Sequence, residues 1–381
     1  MTTADIVLSG LRVRLADMPG AHTVGACLRI ATGSGADPER RWGTAHLTEH
    51  IRIAAVTGSG LHITGRTENA ETRFTMAGLA EQSRSIAGAL TRILDPRNTV
   101  AGTVFEAERA AVNLESRAAV ANPLLLLGPA AAEAALPGEG LADTIRATAD
   151  TVGLITPAYV DAFTSEHYRP GAAVLTFAGP LPDAEALLEA ISEALPADDG
   201  APRPEAGPRA DQPPVELPAE LDRLLVLTVP VAGPAPFSRS VARALADAAQ
   251  TVHAVIGRVT VTAARHEVIV ICWRDDHRAE DLRTAVSGTL AAARRGDDAI
   301  VDAWRSGILR SFQEHAFAGA SPLGRAQCEL LDPPLNPTTA PAGHASALPG
   351  ELRRTADRAG LWRVTAGTLH PETVPQHEEK P

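Results

Sequence analysis

Lysine is almost absent from this sequence of 381 residues, because Lys380 is its only example and every other basic residue is arginine. Abundant alanine, glycine and proline accompany the arginines, as is typical of GC-rich coding sequences, so the arginines alone do not indicate phosphate or RNA binding. Acidic residues outnumber basic ones by 46 to 35, and the formal net charge is −11. This balance argues against a protein that binds nucleic acid through a basic surface.

Cysteine and long apolar segments are also scarce. The three cysteines, Cys27, Cys272 and Cys328, lie far apart and lack the spacing of metal or redox motifs. This favours buried thiols in a reducing compartment over a disulfide framework. Apolar runs such as Leu124 to Leu127 are too short to span a bilayer, and Met1 to Leu15 lacks the apolar core of a signal peptide. We therefore expect a soluble cytoplasmic protein with neither membrane nor nucleic acid as a partner.

The first chemically informative stretch is His46-Leu-Thr-Glu49-His50. On a helix, residues at positions i, i+3 and i+4 emerge on one face within a single turn. Two imidazoles so placed can bind one metal ion, while the carboxylate between them stays free to take a proton from water. The pattern predicts a metal site with His46 and His50 as ligands and Glu49 as general base. An ordinary helix surface is the alternative, since chance alone gives this motif in about one such chain in twenty.

A second helix is able to complete this site. A catalytic zinc ion usually has a third protein ligand from another element, and the segment from Val104 to Ser116 carries Glu108 and Glu115 two turns apart on one face. Packing does not require two carboxylates there. They suit a third metal ligand, Glu115, and a carboxylate that orients a ligating imidazole, Glu108. For Glu108, an ordinary solvated position beside Arg109 is the alternative.

Several motifs, in order, resemble the pitrilysin/insulinase family of zinc metallopeptidases, the inverzincins, whose signature is H-x-x-E-H. The family's G-x-x-H-x-x-E-H is similar to Gly43 to His50, and its helix with E-R-x-x-x-x-x-E is similar to Glu108 to Glu115. Its GGELNAFTS-like edge strand is similar to Gly60 to Thr67. Its Y-x-P-x-N-x-x-L-x-x-x-G strand is similar to Tyr168 to Gly179, and its first hairpin to Ser9 to His22. The resemblance covers nearly the whole N-terminal half, and the family includes the mitochondrial processing peptidase.

The chain departs from the family pattern at three points. Ala172 and Thr64 stand where the family usually has asparagine, in the fourth motif and in the edge strand. The interval between His50 and Glu115 is also shorter than is usual in the family. We place this deficit directly after the metal helix, where a helix is commonly inserted, so both ligand helices remain intact.

The resemblance implies one zinc ion per chain, bound by His46, His50 and Glu115, with Glu49 as the base and Glu108 orienting a ligand. It implies a zinc metalloendopeptidase that cleaves peptides, or leader and precursor segments, inside a closed chamber.

The edge strand is where the resemblance implies substrate binding. An exposed strand within Gly60 to Thr67 is able to pair with a peptide backbone by strand addition. The residues expected to make these contacts are Ile63, Thr64 and Gly65. An exposed edge strand without a ligand is the alternative.

The sequence contains only two tyrosines, and their positions bear on the predicted catalytic site. In the resembled family, the unit facing the zinc often supplies an Arg and a Tyr, seven apart, that hold the scissile carbonyl. The only tyrosines here, Tyr159 and Tyr168, both lie in the first half. Losing such an oxyanion stabiliser is costly in rate, so we expect a homologous subunit to supply the pair and this chain to be the catalytic half of a heterodimer. The alternative is a non-catalytic structural or assembly subunit of the same fold, although such a chain has little reason to keep Glu49.

The predicted fold class is α+β, with two related domains that each contain a mostly antiparallel β-sheet with helices packed on one face. Together they would form half of a clam shell, as the resemblance implies. The predicted boundaries are a zinc-binding domain over 1–197, a Pro/Ala-rich linker over 198–218, a C-terminal peptidase-like domain without a metal motif over 219–369, and a disordered tail over 370–381.

Local patterns predict the individual elements. Asp5 to Leu15 and Thr23 to Ala31 alternate in the manner of two paired antiparallel strands, and the metal helix is expected over Gly43 to Ala55. The other predicted strands are Arg66–Met76, Ala172–Phe177, Leu224–Val231, Arg258–Ala263 and Glu267–Trp273. The other predicted helices are Glu81–Leu94, Val104–Val120, Ala130–Leu136, Gly140–Thr151, Thr156–Tyr168, Asp183–Leu195, Ser238–His253, Ala279–Arg294, Asp298–Glu314 and Glu351–Leu361.

Overall fold

The computed structural model describes residues 3–57, 61–120, 122–142, 145, 147, 149–196, 215–231, 242–243, 245–246, 257–262, 267–274, 279–298, 302, 320–330 and 348–372. The chain divides into two compact units. The first comprises Met1–Arg117, Arg146–Gly207 and Glu314–Asn336, and the second comprises Ala118–Ile145, Pro208–Gln313 and Pro337–Pro381. Each unit draws on both halves of the sequence, whereas the predicted domains are contiguous, and their boundaries stay a prediction.

The first unit contains a six-stranded sheet with the strand order β1-β2-β6-β3-β5-β4. Neighbouring strands are antiparallel except for β2 and β6, which run parallel. The strands are β1 (Thr3–Leu8), β2 (Leu11–Asp17), β3 (Thr23–Ile30), β4 (Ile63–Thr67), β5 (Thr72–Leu79) and β6 (Ala173–Gly179).

The N-terminal strand pairing differs from the prediction. The sequence predicts a strand over Asp5 to Leu15 paired with Thr23 to Ala31. Instead the chain turns at Ser9 and Gly10, which have φ values of 45° and 88°, and β1 pairs with β2 in a two-residue hairpin. Positive φ at both central residues is the geometry of a type I′ turn, for which Ser-Gly is a sequence signal. Because β6 lies between β2 and β3, the predicted pairing is wrong.

Helices cover both faces of this sheet. Ile86 and Ile191, from two of the helices, join the main core on one face, and Ala326 packs with Cys27 on the other. Gly25 permits the close approach on that second face, because a Cβ there would lie 2.3 Å from the Cα of Leu323. The helices of the unit are α1 (Thr44–Val56), α2 (Ser83–Arg92), α3 (Gly102–Val120), α5 (Ala149–Gly153), α6 (Pro157–His167), α7 (Ala184–Ala194) and α9 (Pro322–Glu329).

The second unit contains a five-stranded antiparallel sheet with the order β11-β10-β7-β9-β8. Its strands are β7 (Leu224–Pro230), β8 (Gly257–Thr262), β9 (Glu267–Arg274), β10 (Gly360–Thr365) and β11 (Thr368–Pro371). Its helices are α4 (Pro123–Ala135), α8 (Ala279–Arg295) and α10 (Leu348–Arg358). The predicted α+β class, with antiparallel-rich sheets in separate halves, is confirmed.

Both faces of the second sheet are also buried. Leu225 and Leu227 of β7 join a core with residues of α8 and α10, while Val226 joins a core with residues of α4. Since successive strand residues point to opposite faces, β7 is apolar along almost its whole length. The structure thus adds a second helical layer to the single layer that the sequence predicts.

The remaining predictions concern segments that the structure does not describe in full, the C-terminal tail and the absence of membrane spans. The helices predicted over Ser238–His253 and Asp298–Glu314 lie largely outside the described residues. His370 and Pro371 belong to the predicted disordered tail, but they pair with β10 as part of β11. Residues 373–381 of that predicted tail lie outside the described residues. Among the described helices, none combines the length and apolar content that crossing a membrane requires.

Candidate metal centre

Helix α1 carries three of the predicted site residues, and a carboxylate from the preceding loop fixes its start. Asp37 accepts hydrogen bonds from the backbone N–H groups of Gly43 (2.6 Å) and Ala45 (2.7 Å). The first N–H groups of a helix lack partners within the helix, so this carboxylate satisfies two of the donors at its start. Gly43 adopts a φ of +99°, a conformation that glycine tolerates without strain. These two hydrogen bonds hold the start of α1, and with it the helix that carries His46 and His50, against the loop.

The buried guanidinium of Arg52 fixes α1 against the segment that connects α2 with α3. It donates hydrogen bonds to the backbone carbonyls of Ile93 (2.9 Å), Asn98 (2.7 Å), Arg92 (3.0 Å) and Asp95 (2.5 Å). Because α2 ends at Arg92, the cation lies at the negative end of that helix. The connection ends where α3 begins, so Arg52 helps to set the distance between α1 and α3.

The structure brings His46, His50 and Glu115 together. One ligand atom from each lies within 4.8 Å of the others. Nε2 of His46 is 3.3 Å from Oε2 of Glu115, and Nε2 of His50 is 3.8 Å from Oε1 of the same carboxylate. The two imidazole rings have centroids 4.9 Å apart and planes at 79°. Two imidazole nitrogens and a carboxylate oxygen that converge in this way are compatible with a bound metal ion.

Glu108 contacts the remaining ring nitrogen of His50. Its Oε2 is 3.0 Å from Nδ1, so a proton on Nδ1 would be donated to this carboxylate and the lone pair of Nε2 would face Glu115. Burial, reinforced by the neighbouring His50, lowers the pKa of His46 to about 4. The imidazole is therefore neutral at neutral pH, which is the form that binds metal. The donor chemistry fits a metal ion.

Glu49 directs its carboxylate towards strand β4. The residue is only 4% exposed, and its Oε2 accepts a hydrogen bond of 2.6 Å from Oγ1 of Thr67. On the same strand, a Cβ at Gly65 would lie 2.2 Å from Oε1. Burial raises the pKa of Glu49, and the hydrogen bond from Thr67 opposes this rise. A buried carboxylate with a raised pKa, beside a histidine pair, suits a proton acceptor.

Strand β4 lies at the end of the sheet. Among the described strands it pairs with β5 alone, so its other side offers unpaired backbone groups. Ile63 is half-buried against the core, Thr64 is exposed with its hydroxyl 2.6 Å from that of Thr75, and Gly65 faces Glu49. The edge position of the strand is a feature of the structure, while substrate binding by Ile63, Thr64 and Gly65 stays a prediction.

The sequence did not identify Asp37, Arg52 or Thr67 as part of this arrangement. Asp37 lies in a loop six residues before Gly43, too far for a local capping signal. Arg52 shares a helix face with the buried residues Ala45 and Val56, and this spacing is a signal that could have predicted its burial. Thr67 ends the motif of the predicted edge strand, but no local pattern indicates its contact with Glu49, which lies 18 residues away on another element.

Fold and site together define an α+β chain whose first unit carries a candidate metal centre beside a buried carboxylate. Solved structures show this fold. A protease from Helicobacter pylori has a TM-score of 0.68 and 13% identity, over 94% of this chain and 96% of that one. Pitrilysin has a TM-score of 0.66 and 17% identity, over 98% of this chain and 46% of that one. A chain of Complex III2 from Candida albicans has a TM-score of 0.71 and 14% identity, over 94% of this chain and 93% of that one.

These comparisons establish the fold. The chain has the fold of the pitrilysin-type peptidases, and the resemblance predicted from the motifs is confirmed at this level. The chain spans about half the length of pitrilysin, 46%. A scan against protein-family models finds no match, and neither does a search of curated proteins.

Proposed function

We propose that this protein is a zinc metalloendopeptidase whose metal ligands are His46, His50 and Glu115 and whose general base is Glu49. The observation that carries the proposal is the convergence of the three donor groups on two helices, with a buried carboxylate one residue from His50. Peptidases with this fold, including pitrilysin, support the reaction class. Zinc is the metal proposed because two histidines and one glutamate form a three-ligand set typical of catalytic zinc.

The proposed roles follow from the environment of each side chain. A zinc ion at this site supplies Lewis-acid activation of water at neutral pH. Glu49 accepts a proton from the attacking water and returns it to the leaving amide nitrogen, which needs a carboxylate held close to the reacting atoms. Glu108 holds the imidazole of His50 through Nδ1. The contact of Glu108 with His50 and that of Thr67 with Glu49 support these proposed roles.

The proposed substrate is an extended peptide or a leader segment. Strand β4 offers an open edge beside Glu49, and strand addition there would run a peptide backbone past the base. Ile63, Thr64 and Gly65 would contact this backbone. Pairing through backbone groups tolerates many side chains, so the proposal concerns a class of extended peptides and not one sequence.

We further propose that the peptidase works with a homologous subunit. The chain spans 46% of pitrilysin, and its two tyrosines, Tyr159 and Tyr168, both precede residue 219. Because residues 219–381 contain no tyrosine, we infer that a homologous unit outside these 381 residues supplies the Arg/Tyr pair that holds the scissile carbonyl, and a separate subunit is the form we propose. A cytoplasmic location is compatible with the buried free thiols of Cys27 and Cys272, and it stays a prediction.

A non-catalytic subunit of the same fold is the second candidate. The observation in its favour is that the fold also occurs in a chain of Complex III2. The environment of Glu49 argues against this candidate. Burying a carboxylate destabilises the folded protein, and a helix with only a structural role does not require a buried carboxylate. Zinc content and peptide cleavage distinguish the two functions.

The decisive experiment is cleavage of a mixed peptide library by the zinc-loaded protein, alone and with a homologous subunit encoded by the same genome. Glu49→Gln should abolish cleavage while zinc content, measured by plasma mass spectrometry, stays at one ion per chain. Glu139→Gln is the control, because Glu139 is an exposed glutamate outside the first unit. Zinc binding without cleavage in every combination would favour the non-catalytic subunit, and cleavage that survives Glu49→Gln would exclude Glu49 as the base.

A further inference from the structure

Strand β4 contacts the carboxylate of Glu49 through two of its residues. Oγ1 of Thr67 donates a hydrogen bond of 2.6 Å to Oε2, and Gly65 lies next to Oε1. Both contacts join α1 to an edge strand that lies 18 residues further along the chain. The orientation of this carboxylate is therefore determined by β4 as well as by its own helix.

Gly65 leaves the space that the carboxylate occupies. A Cβ at this position would lie 2.2 Å from Oε1, 2.6 Å from Cδ and 2.7 Å from Cγ of Glu49. Contacts this short cannot exist, so a side chain at residue 65 would require the carboxylate or the strand to shift. Thr67 thus orients one oxygen of Glu49, and Gly65 gives room to the other.

We propose that Thr67 and Gly65 are positioning residues for the general base, so that the strand offered to the substrate also aligns Glu49. This inference rests on the proposed peptidase function. Proton transfer depends steeply on the placement of the base, and a small displacement can cost on the order of 100-fold in rate. A peptide paired with β4 would be bound to the same strand that contacts the carboxylate. The strand would therefore fix the position of the substrate relative to the base.

The experiment compares Thr67→Val, which keeps the shape but removes the donor, with Thr67→Ser, which keeps the hydroxyl. Thr67→Val should lower kcat about 10- to 100-fold and leave KM within about threefold, while Thr67→Ser should stay within about threefold of wild type in kcat. Thr91→Val is the matched control, because Thr91 is a buried threonine on α2 whose hydroxyl bonds to its own helix. Zinc content should be equal in all variants.

A glycine pair tests the steric half of the proposal. Gly65→Ala should lower kcat at unchanged zinc content, because the new Cβ requires the carboxylate or the strand to shift. Gly88→Ala is the control, since Gly88 lies within α2 with no atom near the position of a Cβ. Unchanged kcat in both Thr67→Val and Gly65→Ala would overturn the proposal. So would a rise in KM alone, since it would assign both residues to substrate binding.

A second measurement separates this inference from the proposed function. If the wild-type protein cleaves no peptide in any combination, the function fails, and the contact is then judged by a thermal double-mutant cycle of Thr67→Val and Glu49→Met, because methionine cannot accept the hydrogen bond that glutamine would keep. Coupled residues give a double variant whose midpoint shift differs from the sum of the single shifts. Additive shifts would overturn the inference whatever the enzyme does.

Discussion

Three glutamates of the site occupy three different environments, although their side chains are chemically identical. Glu49 is 4% exposed, whereas the side chain of Glu115 is 56% exposed and faces the Nε2 atoms of both histidines. Glu108 is intermediate and contacts the far side of the His50 ring. Differences in burial and contacts give chemically identical carboxylates different properties. One residue type can therefore serve as general base, as metal ligand and as the group that orients a ligand within one site.

Glu108 allows a prediction at the scale of single residues. Glu108→Ala should weaken zinc binding about 10- to 100-fold, because His50 loses the carboxylate that orients its ring. Competition with a chromophoric zinc chelator measures this affinity. Glu106→Ala is the matched control, since Glu106 lies two residues earlier on the same helix and pairs with Arg109 instead. Equal zinc affinities in the two variants would contradict a role for Glu108 at His50.

At the scale of elements, Arg52 connects α1 with the segment that leads to α3. Arg52→Met should lower the free energy of unfolding by about 2–4 kcal/mol, because four carbonyls that now accept from the guanidinium lose their donors. Urea unfolding of the metal-free protein measures this loss. Arg97→Met is the control, because Arg97 is an exposed arginine that pairs with Asp95 in the same segment. Equal urea midpoints for both variants would show that the buried cation contributes nothing to the contact between these elements.

The helices of the site could be predicted from the sequence because their signals are local. The motif from His46 to His50 and the interval from Glu108 to Glu115 each lie within one helix, where side-chain spacing fixes which residues share a face. α1 and α3 accordingly begin and end within two residues of the predicted positions. The prediction that these two helices converge on one site depended on the family resemblance, because spacing within each helix does not indicate it.

The sheet was harder to predict because its pairing is not local. β6 lies between β2 and β3 although more than 140 residues separate it from them in sequence, and no pattern near the N-terminus indicates such an insertion. Helix α9 packs over Cys27 through residues near position 326, which are equally distant in sequence. The contact of Thr67 with Glu49 is of the same kind, since it exists only once β4 has joined the sheet beside α1.

At the scale of the whole molecule, the described part of the chain contains one candidate metal centre, in the first unit. Pitrilysin is about twice as long, since this chain covers 46% of it. Both tyrosines of this chain lie in the first half, and Tyr168 is completely buried, with burial raising its pKa well above the ordinary range. A buried phenol of this kind packs within the core of the first unit and is not available to a substrate.

The proposed homologous subunit leads to a prediction at this scale, which is incomplete catalysis by residues 1–381 alone. Alone, the zinc-loaded protein should cleave peptides about 100- to 1,000-fold more slowly than in the presence of a homologous subunit that carries the Arg/Tyr pair, because an oxyanion stabiliser contributes that much to the rate. Titrating the second subunit against this chain, with light scattering to follow assembly, measures both the rate and its stoichiometry. The control is the same titration with Glu49→Gln, which should assemble equally well and stay inactive. Rapid turnover by this chain in the absence of any partner would contradict the split site and would require the carbonyl to be held by residues of this chain instead.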